Sequence, residues 1–293
     1  MAAGFLNVLK PPGMSSHDVV GQIRKIFHTK RVGHAGTWDP VAAGVLPVAL
    51  GNAARLVEYM SSADKSYRLE LLLGFSTDTG DDSGKIIERK VDFPLPQREA
   101  LRTSLQAFIG AIMQRPPLYS AIKVQGKRAY QLARENRVVA LPLRQVMIHD
   151  LRLVAFHDSR ILLDLDCSKG TYVRSFCRDF GERIKIPATM GFLLRTRVGS
   201  FCLHDSFSLE EIACLGEKAI LPFETAVSHL PLFEMPEHRI GSFLNGLSTG
   251  SLDLGTADDI LRIYGRGIFL GIGRYEAARR ELYPVKVFRE MSD

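Results

Sequence analysis

The segment from Gly33 to Gly51 constrains the fold more than any other part of this sequence. It reads Gly-His-Ala-Gly-Thr-Trp-Asp-Pro-Val-Ala-Ala-Gly-Val-Leu-Pro-Val-Ala-Leu-Gly, with four glycines, two prolines and one formally charged side chain, Asp39. Such a segment is too apolar for a solvated loop and too interrupted for a regular helix. Because a carboxylate among apolar neighbours is often a perturbed, functional acid, Asp39 is the first candidate site residue.

The composition is that of an ordinary globular protein. The chain has 293 residues, 46% hydrophobic and 24% charged, which is enough for one large domain and a small one. It holds no apolar run of about 18 residues, and its first residues lack the pattern of a signal peptide, so we expect a cytoplasmic protein with no membrane partner. The four cysteines show no C-x-x-C spacing and are expected to be small buried side chains.

The positive charge is unevenly distributed. The net charge is +6; residues 1–230 hold 30 Lys and Arg against 23 Asp and Glu, and residues 231–293 hold 8 against 9. A basic body with a nearly neutral C-terminal part is typical of a protein whose body binds a polyanion, although many basic proteins bind no nucleic acid.

Hydrophobic periodicity predicts an α+β fold, because strands and helices mix without regular βαβ alternation. The predicted strands cover residues 4–9, 65–74, 85–92, 144–157, 160–167 and 193–202. The predicted helices cover residues 17–28, 52–61, 97–111, 171–184 and 208–214. Prolines at 222, 231 and 236 mark a linker, and three short strands beyond it predict a small β-rich domain.

Motifs for cofactors and metals fail on inspection. The glycine pairs near residues 265–273 lack the third glycine and the strand-to-helix setting of a dinucleotide site. Asp78, Asp81 and Asp82 resemble the start of a calcium loop, but the required later glutamate is absent. We expect these acids to lie on a solvated hairpin turn, and we expect no cofactor and no metal.

Three further stretches carry residue types that RNA-acting enzymes use. Lys65-Ser-Tyr67 lies on a predicted strand, and residues 115–134 hold five cationic side chains with two interleaved tyrosines. Residues 167–179 place a Lys-Gly turn before a helix that carries Arg174. Helix N-termini suit phosphates, and cations among aromatics suit RNA. Each feature also has an ordinary structural explanation, so the residues alone predict an RNA-binding enzyme with a functional carboxylate.

The stretch around Asp39 resembles the signature of a known family. His34-Ala-Gly-Thr-Trp-Asp39-Pro-Val-Ala-Ala-Gly-Val-Leu-Pro is similar to H-T-G-T-L-D-P-x-A-T-G-V-L-P of the TruB family of tRNA pseudouridine synthases. Further family patterns match in the same order: Lys65-x-Tyr67, Gly74-x-Ser-Thr-Asp-Thr-Gly-Asp81, Pro116-Pro-x-Tyr-Ser-Ala-x-Lys123 and Ser168-Lys-Gly-Thr-Tyr-x-Arg174. The resemblance covers about residues 5–205 and departs from the pattern at Ala35, Trp38 and Ala43.

The resemblance implies both a fold and an activity. Residues 1–230 are expected to form a catalytic domain with a mixed, mainly antiparallel central sheet and flanking helices. Residues 231–293 resemble the small PUA-related RNA-binding domain of bacterial members. The implied activity is isomerisation of the uridine at position 55 in the T-loop of tRNA to pseudouridine. The implied partner is the T-arm of tRNA, with no obligatory protein partner.

The family pattern also assigns roles to residues. Asp39 is the expected nucleophile, Arg174 is expected to pair with Asp39 and keep it ionised, and Tyr67 is expected to stack on the base and help remove the proton at C5. His34 is expected to fill the space that a flipped base leaves, and Leu194 to line the pocket floor. The expected substrate-binding residues are His34, Gly36, Thr37, Lys123, Lys169, Tyr172 and Leu194.

Three other functions stay open at this point. The same chemistry could act on another RNA, as in the guide-directed relatives that modify ribosomal RNA. A non-catalytic RNA-folding chaperone would need the basic body but not the combination of Asp39, Tyr67 and Arg174. A carboxylate glycosidase would release free uracil and would use two carboxylates, because one of them must activate water.

Overall fold

The secondary structure of the described part is mixed. The computed structural model describes residues 2–36, 39–120, 122–124, 126–135, 141–250, 252–256 and 258–288. The strands there are β1 Gly4–Lys10, β2 Val32–His34, β3 Ala43–Leu50, β4 Lys65–Leu73, β5 Phe75–Thr77, β6 Ile86–Arg89, β7 Gly110–Gln114, β8 Lys123–Val124, β9 Lys127–Arg128, β10 Arg144–His157, β11 Arg160–Cys167, β12 Ala188–Val198, β13 Phe201–Cys202, β14 Leu232–Glu234, β15 Asp259–Gly265, β16 Ile268–Glu276 and β17 Glu281–Val287. The α-helices are α1 Ser16–Ile26, α2 Val57–Met60, α3 Arg98–Gln106, α4 Ala129–Arg134, α5 Val173–Ile184, α6 Leu209–Leu215 and α7 Glu237–Leu244.

One large sheet organises the body. In the described ranges it holds nine strands in the order β1-β3-β12-β4-β11-β10-β7, with β2 paired to β3 and β13 paired to β12. Neighbouring strands of this sheet run antiparallel, except that β3 and β12 run parallel. The predicted α+β fold with a mixed, mainly antiparallel sheet is confirmed.

The Gly33–Gly51 segment begins in β2 and ends after β3, in agreement with the expectation that it is neither a solvated loop nor a helix. The second half of that segment is a regular strand, and every residue of it is buried. A strand that is covered on both faces reads as a continuous apolar run, because neither face has to be polar.

Helices cover the sheet largely where the periodicity placed them. Ser15 caps α1 in a capping box with Asp18, and α5 packs Phe176 and Phe180 against Phe108. The predicted helix over 52–61 is instead a 3₁₀ turn at 51–56 followed by the short α2. No α-helix in the described residues is both long and apolar enough to cross a membrane.

The C-terminal residues form a second, four-stranded sheet in the order β14-β15-β16-β17, with α7 beside it. This unit shares a core with the body: Ile272 and Phe288 are buried in the same cluster as Phe201. The ring centroids of Phe223 and Phe288 lie 5.0 Å apart, and Nη1 of Arg55 donates to the Val287 carbonyl at 2.8 Å. The two parts are therefore joined by buried apolar surface.

Candidate active site

The site is built where the only described parallel strand pair of the large sheet meets β4. Ala43 and Gly44 of β3 lie opposite Leu194 and Arg195 of β12, and Arg195 in turn lies opposite Tyr67 of β4. Asp39 precedes β3, and its carbonyl accepts the backbone N–H of Ala42 at 3.1 Å. The sheet thus places three strands from separate parts of the sequence side by side: β3, which follows Asp39, β12 with Leu194, and β4 with Tyr67.

A buried lysine fixes the turn that carries Asp39. The Lys10 side chain is fully buried, and its ammonium donates to the carbonyls of Pro11, Met14 and Pro40 at 2.9, 2.6 and 3.3 Å. Because Pro40 follows Asp39 directly, these bonds restrain the backbone next to the candidate nucleophile.

Arg174 lies between two carboxylates. Its Nη2 is 2.9 Å from Oδ2 of Asp39, and its Nη1 is 3.6 Å from Oδ2 of Asp81. The guanidinium also donates to the carbonyls of Thr79 and Tyr119, at 3.0 and 2.9 Å. Arg174 and Asp81 are buried, whereas the Asp39 side chain is 40% exposed. Asp81 therefore holds Arg174 from the interior of the protein, and Asp39 lies on the side of Arg174 that solvent reaches, which is the opening of the site.

The position of Asp81 corrects the expectation of a solvated hairpin turn. The backbone around it bonds to β12, through Met190 N to the Gly80 carbonyl at 3.1 Å and Asp82 N to the Met190 carbonyl at 2.9 Å. Its carboxylate accepts bonds from the hydroxyl of Thr79 at 2.8 Å and from the backbone of Ser83 at 3.2 Å. Of the three acids in this turn, Asp78 and Asp82 are exposed as expected.

The environment of Asp39 makes its carboxylate more basic than usual. Burial raises the pKa of Asp39, and the negative charge of Asp81 raises it further, while Arg174 and Lys10 act in the opposite direction. The net pKa lies above its ordinary value. The predicted ion pair with Arg174 is present, but burial outweighs its effect on the pKa.

We expect Asp81→Asn to lower the pKa of Asp39, because the substitution removes one of the two influences that raise it. A carboxyl whose raised pKa falls back keeps its negative charge to a lower pH, so its titration must move in the acid direction. Titration of ¹³C-labelled aspartate carboxyl groups by NMR measures this shift. Asp78→Asn, an exposed neighbour, is the control that leaves Asp39 unchanged, and an unmoved Asp39 titration in Asp81→Asn would contradict the coupling.

Tyr67 and Leu194 lie on adjacent central strands, as the predicted roles require. Both side chains are half-buried. Burial raises the pKa of Tyr67 to about 12, so the phenol is neutral near neutral pH. Arg195, which follows Leu194, is 4% exposed, and its Nε donates to the Val45 carbonyl at 2.9 Å.

The other predicted substrate-binding residues divide into three groups. Burial raises the pKa of Tyr172, and the nearby negative charge of Asp39 raises it further; Nδ1 of His34, at the end of β2, donates to the Gly36 carbonyl at 2.8 Å. Gly36 and Lys169 are exposed. Thr37 lies outside the described residues, and so does the side chain of Lys123, whose backbone belongs to β8.

Sequence reasoning missed two residues of the site, Asp81 and Arg195. Asp81 is the last residue of the Gly74–Asp81 stretch that matches the family pattern, and this match could have identified Asp81 as a site residue. Arg195 carries a charge within the strand predicted over 193–202, directly after Leu194. A charged residue in a buried strand is unusual enough to mark a site.

Comparisons with known proteins identify the family of this chain. The model of the TruB family pseudouridylate synthase N-terminal domain matches residues 24–173. Proteins named tRNA pseudouridine synthase B are similar over nearly the whole chain. The one from Moorella thermoacetica is 44% identical, covering 98% of each chain, and the one from Caldanaerobacter subterraneus is 44% identical, covering 97% of this chain and 99% of its own.

Solved structures share the fold. The crystal structure of a Cbf5-Nop10-Gar1 complex contains a chain that is 26% identical, with a TM-score of 0.75, covering 98% of this chain and 84% of that one. The matching residues include the Asp39 turn, Tyr67 and Asp81, and the relatives extend the similarity through β12 to the C-terminal sheet. The chain belongs to the TruB family of pseudouridylate synthases.

Proposed function

We propose that this protein isomerises uridine to pseudouridine at position 55 in the T-loop of tRNA. The observation that carries the proposal is the Asp39–Arg174 ion pair, because it presents one basic, partly exposed carboxylate at the opening of the site. A carboxylate is a suitable nucleophile for a reaction that breaks and remakes a glycosidic bond. The names of the similar proteins support tRNA as the substrate.

The reaction rearranges bonds within one nucleotide. The bond between N1 of the base and C1′ of the ribose breaks, the base turns, and C5 bonds to C1′. The proton on C5 leaves, and N1 ends with a proton, so no atom is lost and no electron is transferred. Asp39 assists by adding to C1′ or to the base ring, and it departs when the new carbon–carbon bond is complete.

Arg174 and Asp81 hold the nucleophile in place. Arg174 fixes the Asp39 carboxylate through Nη2, and Asp81 holds the other arm of the guanidinium. Asp81 is buried, its Oδ1 accepts bonds from Thr79 and Ser83, and its Oδ2 lies 3.6 Å from Nη1 of Arg174, so both oxygens face protein groups. This arrangement disfavours the hydrolytic alternative, in which a second carboxylate faces the substrate.

The target base must leave the folded T-loop before it can react. We propose that His34 occupies the space that the base leaves. Burial lowers the pKa of His34, so the ring is neutral and its Nε2 is an acceptor while Nδ1 donates to Gly36. Tyr67 stacks on the base above Leu194, and Lys169, Tyr172, Thr37 and Lys123 bind the surrounding nucleotides.

The body also supplies positive charge for the RNA backbone. Arg24 and Lys25 in the last turn of α1, and Lys30 and Arg31 shortly after it, are exposed, and no carboxylate among the described residues pairs with them. By contrast, Arg266, Arg274 and Arg280 of the C-terminal unit are paired to Glu237, Glu276 and Asp253. We propose that residues 231–293 bind RNA by shape and that the body provides most of the electrostatic affinity.

The test is to incubate the pure protein with tRNA that lacks modifications and to map pseudouridine with carbodiimide. We expect one reactive position, in the T-loop, and no release of free uracil. A tRNA with cytidine at that position is the control. Free uracil would indicate a glycosidase, and bound but unchanged RNA would indicate a chaperone.

The same assay separates tRNA from other substrates and tests the need for partners. We propose that the protein works alone in the cytoplasm, because the similar synthases are named as single proteins, although the structural neighbour from the Cbf5-Nop10-Gar1 complex has two partners. Ribosomal RNA fragments are therefore expected to stay unmodified. If the protein modified ribosomal RNA in preference to tRNA, the proposed tRNA substrate would be wrong.

A further inference from the structure

Arg195 is a buried cation next to the base-binding tyrosine. It lies opposite Tyr67 on β4 on one side and opposite Gly44 on β3 on the other. Its Nε donates to the Val45 carbonyl at 2.9 Å, so the guanidinium is held by the β3 backbone. Directly opposed residues in an antiparallel pair point to the same face of a sheet, and a hydrogen bond between the Arg195 and Tyr67 side chains is among the causes that shift the pKa of each group.

A buried positive charge at position 195 destabilises the folded protein unless it is compensated. Removing a guanidinium from water is unfavourable unless several of its N–H groups find acceptors. Burial lowers the pKa of Arg195 to about 10, so the group remains protonated near neutral pH. A leucine would fill the same place in a buried strand at lower cost, so the retained charge calls for a role in the site.

We propose that Arg195 is a positioning residue that turns the Tyr67 hydroxyl into a hydrogen-bond donor aimed at the bound nucleotide. A guanidinium can only donate hydrogen bonds, so the Tyr67 oxygen must accept from Arg195. The phenolic hydrogen is then directed away from Arg195, toward the opening of the site. This inference rests on the proposed function, because it names the acceptor as an oxygen of the reacting uridine.

A hydrogen-bond donor at this place would stabilise negative charge that develops during the reaction. When the bond between N1 and C1′ breaks, the electron pair stays with the base, and negative charge develops on the uracil ring and its carbonyl oxygens. A fixed donor stabilises that charge without reorganising. Tyr67 forms and breaks no covalent bond in this step, and its proton stays on the phenol.

A double-mutant cycle tests the proposal. Single-turnover formation of pseudouridine in a T-arm stem-loop is measured at saturating protein, and Kd is measured by filter binding. We expect Arg195→Met and Tyr67→Phe each to slow the reaction by about 10²-fold, as losses of a transition-state donor do, with little change in Kd. In the Tyr67→Phe background we expect Arg195→Met to cause no further loss, because Arg195 acts through the hydroxyl.

Three more variants make the result specific. Arg195→Lys keeps a cationic donor and is expected to recover most of the rate. Arg197→Met is the matched control: this neighbour on β12 binds Asp166 at 2.7 Å and Ser66 at 2.9 Å, and its loss is expected to leave the rate near that of the wild type. If Arg195→Met does not fold, Arg195→Gln takes its place, with a smaller loss that again disappears in the Tyr67→Phe background.

Two results would overturn the inference. One is an Arg195→Met rate equal to that of the wild type. The other is a loss that is equally large with and without the Tyr67 hydroxyl, which would make Arg195 a structural residue. An inactive wild-type protein would overturn the proposed function itself, and with it this inference.

Discussion

We expect Asp39→Asn to give a protein that binds a T-arm stem-loop but forms no pseudouridine. Asparagine has almost the same shape as aspartate but no negative charge, so it cannot act as the nucleophile. Because Asp81 still holds Arg174 from inside the protein, the site is expected to keep its form. We expect the single-turnover rate to fall by at least about 10⁴-fold, which is the scale of losing a group that bonds to the substrate.

Tritium release from uridine labelled at C5 measures this rate, and filter binding measures Kd. Asp82→Asn is the matched control, since Asp82 is an exposed neighbour of the site acid Asp81. We expect the control to react like the wild type. Continued tritium release by Asp39→Asn would show that another group carries the chemistry and that the assignment of Asp39 is wrong.

Gly44→Ala separates the two strands that form the site. Gly44 has a φ of +115°, and a Cβ there would lie 2.2 Å from the carbonyl oxygen and 2.8 Å from the nitrogen of Arg195. Both contacts are with backbone, so β3 and β12 must move apart at the one place where they pair. We expect the free energy of unfolding to fall by about 4 kcal/mol or more, and activity to be lost with it.

Urea denaturation monitored by circular dichroism measures the change in stability. Gly21→Ala is the control, because Gly21 lies inside α1 with open space where the Cβ would go. There alanine is expected to stabilise the protein by about 0.5–1 kcal/mol, as it does in helix interiors. Equal effects of the two substitutions would contradict the close approach of β3 and β12.

Regular elements with a clear period were predicted well. The strands expected over 144–157 and 160–167 are β10 and β11, with the same bounds, because one face of each meets the core and the other meets water. The helix expected over 17–28 is α1, which Ser15 caps. Elements without a clear period were predicted less well: β3 is buried on both faces, and the three residues of β14 are too few to show one.

The sequence by itself determined the candidate chemistry. A single acid in an apolar, glycine-rich segment, followed by the ordered patterns around Tyr67 and Arg174, was enough to indicate the family, since each pattern is local. Tertiary structure alone decided how that acid is tuned. Asp81 acts on Asp39 beside Arg174, Arg195 lies opposite Tyr67 across β12 and β4, and Lys10 bonds the Pro40 carbonyl, all between residues far apart in the sequence. Burial and charge act through space, so their effect on a carboxylate appears only once the strands are paired.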